Sequence, residues 1–407
     1  MAESQVAPLP GRNRVRLGVS DFLQWISDED GLYSRFDMLA RQVEALASDY
    51  ILEECSNVEA IAGKLGDVIA RCDDIDYGDW VTVQAYALLH FLDRYHRFQI
   101  ILSRLAELGV LPIKMLPIDI LDVGTGPGPS LFAVSDFYAL LVRYGVAMGD
   151  EALAGLRYNS DFVERSHGFR DWLGWFAEFV NSRDANSSLH WPLPYYIGSF
   201  GDFRGLDFRK EKDALFRSEI ARIEREIEED YRDSPSRDFI IRDLMGDEWK
   251  NALRYDLIIF SNFLTRVEQV RNLERELRSA ANALRNRGII LVVGASTGKY
   301  LEIYSEIRKI LCGKPYAKKK SISRVSEISI ADWKMKYEWR ERFGQQMKSV
   351  YQLLLTRLND CEACSAVEAN GLQFISRRAR GEAIPRWGMR VFRKESWPRR
   401  RRHSGST

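Results

Sequence analysis

The sequence predicts an α/β protein: a doubly wound, largely parallel sheet preceded by an all-helical module. An apolar run too short for a helix, Ile118–Val123, enters a glycine-rich turn and then an apolar periodic stretch over 131–146. That is the strand, turn and helix order of a crossover unit. Two further runs, "YDLIIFSN" at 255–262 and "GIILVVGA" at 288–295, are apolar without alternation, as expected of central parallel strands buried on both faces. From about residue 21 to 108, by contrast, apolar residues recur at helical spacing (Phe36, Leu39, Val43, Leu46, then Leu88, Leu89, Leu92) with almost no Pro and few Gly, which reads as helices alone.

A chain of 407 residues with 45% hydrophobic residues has enough apolar material for two or three domains. Its 59 Lys and Arg against 58 Asp and Glu give a formal charge of +1, so no global field draws it to nucleic acid or membrane. Five scattered cysteines and a start that does not read as a secretory leader lead us to expect a reducing, cytoplasmic setting. No run reaches the ~18 consecutive apolar residues of a membrane span.

In chain order, residues 1–20 mix Pro, Gly and Arg without period and read as a flexible arm. Residues 21–112 form the helical module, whose last helix, "VTVQAYALLHFLDRYHRFQIILSRLAELG", is expected to end at Gly109 with Pro112 beyond it. The α/β domain is expected over 113–394, with further strands at 158–164, 238–243 ("DFIIRD"), 255–262 and 288–295. The stretch "VEQVRNLERELRSAANALRNR" reads as one amphipathic helix ending at Gly288. Helical insertions are expected near 204–236 and 313–360. The first holds a charged helix over 207–233 with a narrow stripe of Phe216, Ile220, Ile223 and Ile227, the pattern of a solvated helix. A helix over 300–311 precedes the second insertion, and "LQFISRR" with "WGMRVFRK" reads as a closing antiparallel hairpin. Residues 395–407, with "PRRRRHSGST", form a basic, disordered tail.

The glycine loop carries the chemistry. In "LDVGTGPGPSLF", Gly124, Gly126 and Gly128 let the backbone turn sharply and approach a ligand closely. A phosphate loop is excluded because no Gly-Lys-Ser/Thr follows, and the dinucleotide spacing G-x-G-x-x-G is replaced by G-x-G-x-G with Pro127 inside. Asp122 stands two residues ahead of the first glycine.

This combination resembles motif I of the class I S-adenosylmethionine-dependent methyltransferases. The resemblance covers about residues 113 to 394 and implies a Rossmann-like seven-stranded sheet with an antiparallel last pair. S-adenosylmethionine is the cofactor it implies. Asp122, Gly124, Thr125, Gly126 and Gly128 would cradle the amino-acid end, whose ammonium and sulfonium charges favour a carboxylate nearby. An acidic residue closing the second strand grips the ribose hydroxyls in the family. Glu164 fills that role, with Asp161 as the alternative, although it follows Gly128 by 36 residues and so implies an enlarged first crossover. The acidic residue meeting the adenine is assigned to Asp243, with Leu244 beside it, 13 residues before Asp256; Asp202 is the alternative and would need a long insertion after it. "YDLIIFSNFL" is similar to the family's fourth motif, which makes Asp256 structural and sets Ser261 and Asn262 along the cofactor cleft.

A weaker resemblance, in the helical module ending just before "ILDVGTGPGPSLFA", is to the methyltransferase-like family associated with the small ribosomal subunit. That family's cysteine cluster is missing here, since Cys55, Cys72 and Cys312 are scattered. The lone pair Cys361 and Cys364 lacks the further ligands of a zinc or iron–sulfur site, and no metal is expected. His90 and His96 lie six residues apart on a helix, too divergent in direction to chelate one ion; packing against the α/β domain is the expected role of this aromatic-rich helix, with Tyr95 or Arg97 reaching the carboxylate end of a cofactor as the alternative. "SNFL" is not the Asn-Pro-Pro-aromatic motif of base-amine methylation. The expected function is thus methyl transfer to an unidentified acceptor, an RNA, a protein or a small molecule. The catalytic base is undeclared, and the basic runs at 314–324 and 399–402 leave an RNA or ribonucleoprotein partner open. The alternative is a non-catalytic methyltransferase-like assembly protein acting on a ribonucleoprotein.

Overall fold

Asp79 opens the longest helix among the described residues by accepting the Thr82 amide hydrogen on its side chain at 3.2 Å, an N-cap that satisfies one orphan donor of the first turn. The helix closes where Gly109, at φ +61°, turns back so that its N–H and that of Val110 reach Ala106 and Leu105 carbonyls, the glycine stop expected there. The computed structural model describes residues 58–71, 74–114, 117–184, 199–231, 254–296, 298–313, 325–328 and 387–395, with single positions between 21 and 49 and between 345 and 380.

The elements, in chain order, are α1 (Val58–Arg71), α2 (Trp80–Glu107), β1 (Ile118–Val123), α3 (Pro129–Met148), α4 (Glu151–Ala154), β2 (Tyr158–Val163), α5 (His167–Asp184), β3 (Ser199–Phe200), α6 (Phe208–Tyr231), β4 (Tyr255–Ser261), α7 (Val267–Asn272), α8 (Glu274–Ala283), β5 (Leu284–Ala295), α9 (Tyr300–Cys312), β6 (Val325–Ile328) and β7 (Trp387–Lys394). The seven strands form one sheet in the order β3-β2-β1-β4-β5-β7-β6. β1 pairs with β4 and β4 with β5 in parallel, whereas β7 runs antiparallel to both β5 and β6. This is the Rossmann-like seven-stranded methyltransferase sheet, carried with an amino-terminal helical region.

The chain divides into two compact units: Met1–Ile118, Thr125–Ser199 and Asp332–Pro385 form the first, and Asp119–Gly124, Phe200–Ala331 and Arg386–Thr407 the second. In the first, α2 is the central post and packs on α1, α3 and α5. Phe91, Phe132, Trp172 and Phe176 interlock around it with ring centroids 4.7–5.8 Å apart, a range in which edge and stacked contacts both add to the burial. Phe22 is fully buried against Phe137 and Tyr144, so α3 is also covered from the amino-terminal side. By length and composition α3 would cross a membrane, yet 67% of that stretch is buried within the protein, as befits a core helix apolar on most faces.

In the second unit β4 is buried along its whole length. Its register against β5 jumps from Tyr255↔Leu284 to Leu257↔Ile289. The extra β5 residues form a bulge with Arg287 at φ +68°, and a Cβ on Gly288 would lie 2.9 Å from the Tyr255 carbonyl oxygen. The bulge directs Arg285 onto the carboxylates of Asp119 and Asp256, and Asp256 also accepts the Asp119 N–H at 3.0 Å. The starts of β1, β4 and β5 are thereby tied by one guanidinium, which gives Asp256 the structural part expected of it. Arg285→Met should cost about 2 kcal/mol, below the 3–5 of a fully buried pair because Arg285 is partly exposed. The midpoint of guanidinium unfolding reads the loss, and an unchanged midpoint would remove the clamp from the stability of the sheet.

Two expectations change. The amphipathic stretch before β5 is two helices, α7 and α8, meeting at Leu273, and strand begins at Leu284 rather than Gly288. The bulge consumes the residues that a helical period appeared to claim. The hairpin partner of β7 is β6, not "LQFISRR", whose residues 373 and 375–377 are helical, as is Ala379 just after it; with Ile375 and Ala379 buried and Gln373 and Arg377 exposed, that stretch keeps a period near four. The strand beside β2 is Ser199–Phe200, in "GSFGDF", while "DFIIRD" lies outside the described residues. The enlarged first crossover is present as α3 plus α4, and on α6 Leu215 and its charged neighbours are exposed, as for a solvated helix.

Candidate functional site

The loop after β1 is built by its glycines for different reasons. All three have positive φ, +70° at Gly124, +57° at Gly126 and +87° at Gly128, which L side chains adopt at a cost. In the first unit a Cβ on Gly128 would stand 2.4 Å from the Leu173 side chain, so this glycine is also demanded by packing. A Cβ on Gly126 would meet only Tyr86, at 4.0 Å. Gly126 is itself buried, and among the described residues only the Tyr86 ring lies in ordinary van der Waals contact with such a Cβ.

The carboxylate of Glu164, directly after β2, lies beside this glycine. One oxygen accepts the Gly126 N–H at 2.8 Å and the other the Ser166 N–H at 2.8 Å. Thr125 N–H reaches the Val163 carbonyl at 3.3 Å, and the turn closes through Gly128 N–H to Thr125 O at 3.1 Å. Burial pushes the Glu164 carboxyl above its usual range, against the lowering effect of the Ser166 and Gly126 amides. Ser166 also caps α5, its hydroxyl oxygen accepting the Phe169 N–H at 3.3 Å while its hydroxyl donates to Tyr77 O at 2.6 Å. Thr125, Gly126, Gly128 and Glu164, foreseen from separate stretches of sequence, are thus brought together.

Aromatic rings stand on the Tyr86 side of this turn. Tyr77 stacks on Phe169 at 4.7 Å, and Tyr86 meets the edges of Tyr77, Phe169 and His90 at 4.8–5.1 Å. Arg94 lies over the Tyr86 ring at 5.0 Å and donates to its hydroxyl. Sequence reasoning named Tyr95 and Arg97 for the cofactor's carboxylate end; both are buried elsewhere, Tyr95 on Asp136 and Arg97 in an ion pair with Asp93 at 2.6 Å. Their places on α2 turn into the core. His96 is buried and His90 half-buried, consistent with separate faces.

In the second unit, Asp122 is fully buried near the end of β1. The register Val123↔Phe260 sets Gly124 and Ser261 at matching carboxyl ends of β1 and β4. A Cβ on Gly124 would lie 2.3 Å from the Phe263 ring, so Phe263 covers this glycine. Ser261 is buried, and Asn262, at φ +51°, donates its N–H to Val293 O at 2.8 Å and its side-chain amide to the Ser261 hydroxyl at 3.3 Å. A non-glycine residue held at positive φ at the end of a strand is backbone strain of the kind found at ligand sites. Gln269 holds the following turn through Phe263 O and the Thr265 N–H, both at 3.0 Å. Asp243, Leu244, Cys361 and Cys364 lie outside the described residues. Among the described residues no group of three or more His, Cys, Asp or Glu is gathered as a metal would need.

No protein-family model and no curated protein matches the sequence. Among solved structures the chain is similar to an S-adenosylmethionine-dependent methyltransferase from Geobacter sulfurreducens in complex with S-adenosylhomocysteine, at 12% identity over 72% of this chain and 89% of that one, with a TM-score of 0.32. It is also similar to phosphoethanolamine N-methyltransferase 2 from Haemonchus contortus (10% identity, 79% and 61% covered, TM-score 0.35) and to coclaurine N-methyltransferase (10% identity, 93% and 99% covered, TM-score 0.33). Likeness of this degree leaves the chemistry to the site's own residues.

Proposed function

We propose that the chain is an S-adenosylmethionine-dependent methyltransferase acting on an acceptor still to be identified. The observation that carries this is the Glu164 carboxylate held against the Gly126 amide of the glycine turn that follows β1. Packing crowds a Cβ on Gly124 and Gly128, whereas one on Gly126 would meet only the Tyr86 ring at 4.0 Å among the described residues. A ribose whose two hydroxyls donate to Glu164 would fit there, since a carboxylate accepts several such bonds. Thr125 and Gly126 offer backbone to the cofactor beside it. Asp122, Gly124, Ser261 and Asn262 belong to the cofactor's surroundings by their motifs, as do Asp243 and Leu244.

S-adenosylmethionine, when bound, supplies a methyl already activated on a sulfonium, so the protein's work is to align the acceptor and exclude water. The half-buried Tyr77 and Tyr86, backed by the buried Phe169, provide an apolar wall for that. The five cysteines suit a reducing, cytoplasmic setting.

The direct test is calorimetric titration of the whole protein with S-adenosylmethionine and S-adenosylhomocysteine. Binding at one equivalent is expected, and absence of binding to either would overturn the cofactor assignment. Radiolabelled methyl transfer into fractionated cell extract then identifies the acceptor. Tight binding with no transfer to RNA, protein or metabolite fractions would instead favour the assembly role.

A further inference from the structure

Between α1 and α2, residues 74–79 form a strap that lies on the start of α5, both within the first unit. The two are fitted to each other from both sides: a Cβ on Gly168 would stand 2.3 Å from the Tyr77 carbonyl oxygen, and one on Gly78 would stand 2.8 Å from the His167 ring. A backbone oxygen cannot yield as a flexible side chain can, so the glycine at 168 is what lets the strap approach. The Tyr77 ring stacks on Phe169 at 4.7 Å and meets Tyr86 edge-on at 5.0 Å. Asp76 turns the strap by accepting the Gly78 N–H at 3.0 Å, and Asp79 ends it as the cap of α2.

Ser166 sits where the strap, α5 and Glu164 meet, and each of its side-chain roles and its amide is engaged. Its hydroxyl donates to Tyr77 O at 2.6 Å and accepts the Phe169 N–H at 3.3 Å, while its own N–H donates to Glu164 Oε1 at 2.8 Å. The other carboxylate oxygen takes the Gly126 N–H at 2.8 Å. The last torsion of a glutamate is broad when free. One amide on each oxygen fixes it and leaves each oxygen a lone pair for a further donor. A carboxylate ordered before its ligand arrives has less to lose on binding.

We propose that Ser166 is a positioning residue, held by the Tyr77 carbonyl so that its amide aims the Glu164 carboxylate at the hydroxyl pair of a nucleoside, and that the strap of the helical module thereby sets the affinity of the site. The nucleoside rests on the methyltransferase reading above.

The experiment uses the full chain and three variants, each checked for native circular dichroism. Ser166→Ala removes both hydroxyl bonds and Ser166→Thr keeps them. Ser166→Ala also uncaps α5, so Gly168→Ala is the separating variant: it leaves the Ser166 hydroxyl in place while its Cβ displaces the Tyr77 carbonyl. S-adenosylhomocysteine is titrated calorimetrically into each, in the parent background and with Glu164→Ala. Ser166→Ala and Gly168→Ala are expected to weaken it about three- to tenfold, the effect of one hydrogen bond, with recovery in Ser166→Thr. With Glu164→Ala the same changes should matter less than about twofold, since no carboxylate remains to be aimed. Equal losses in both backgrounds, or none in either, overturn the proposal, and a loss in Ser166→Ala alone assigns the effect to the cap and overturns the part of the strap. The Glu164 carboxyl is also titrated without ligand by its carbon-13 resonance, identified by its absence in Glu164→Ala. The Ser166 amide lowers that carboxyl, as does neighbouring Arg165, which every variant keeps. The midpoint should therefore rise in Ser166→Ala and Gly168→Ala and stay in Ser166→Thr. Should the parent protein bind no S-adenosylhomocysteine, the methyltransferase reading fails by itself. The carboxyl titration then decides whether the strap and Ser166 position Glu164, and unchanged midpoints overturn it.

Discussion

Gly126→Arg is expected to abolish S-adenosylmethionine binding, by at least about a hundredfold. The backbone at φ +57° costs a side chain on the order of 1–2 kcal/mol. A new Cβ itself has room, its nearest neighbour among the described residues being the Tyr86 ring at 4.0 Å. Gly126 is buried, so the arginine chain must displace its neighbours at the turn that Glu164 holds, and native circular dichroism is checked before affinity is read. Gly128→Ala makes the opposite case: its Cβ would sit 2.4 Å from Leu173 in a packed interior, at φ +87°, and overpacking of this kind costs roughly 1–3 kcal/mol on top of the strain. Calorimetry with S-adenosylhomocysteine and urea unfolding of both variants separate the two effects. If Gly126→Arg binds the cofactor like the parent, the glycine turn is not where the cofactor sits.

The contrast between these glycines also marks what sequence could and could not supply. G-x-G-x-G after a short apolar run was legible because the backbone chemistry is local: a strand must end, and glycine alone turns there without strain. The continuous apolar runs of β4 and β5 were legible for the same reason. The bulge at Arg285 to Gly288 was not, since its cause is long-range: a register jump and an ion pair from Arg285 to Asp119 and Asp256, 166 and 29 residues away in sequence. β6, only four residues long with one buried side chain, carries too little pattern to compete with "LQFISRR". Along α2 the limit was different. On a helix so apolar the eye follows Leu88, Leu89 and Leu92, and Arg97 and Tyr95 look as available as Tyr86 and Arg94 until burial removes them.

Glu164→Gln is expected to weaken cofactor binding by about ten- to a hundredfold, because the ribose hydroxyls lose a charged acceptor, and the same change should erase a pH dependence. Burial raises the Glu164 carboxyl above the ordinary 4.5, with the Ser166 and Gly126 amides partly opposing it. As pH falls, the native protein therefore takes up this proton before the unfolded chain does. In the window between the ordinary value and the raised one the native state binds more protons, so the contribution of Glu164 to stability grows as pH falls and is lost as pH rises through the folded value. Cofactor affinity runs the other way. The ionised form is the acceptor for the ribose, so affinity declines on acidification while the pH is still above the ordinary glutamate range. One residue thus holds stability and binding in conflict between the ordinary and the raised value, which is the expected signature of a group kept charged for a ligand rather than for the fold. Unfolding midpoints and S-adenosylhomocysteine affinities, each measured over a pH series for the parent and Glu164→Gln, give the two slopes as differences between proteins. Equal affinity slopes in the two proteins would show that Glu164 does not hold the ribose, and would return that part to Asp161 or to another group of the loop.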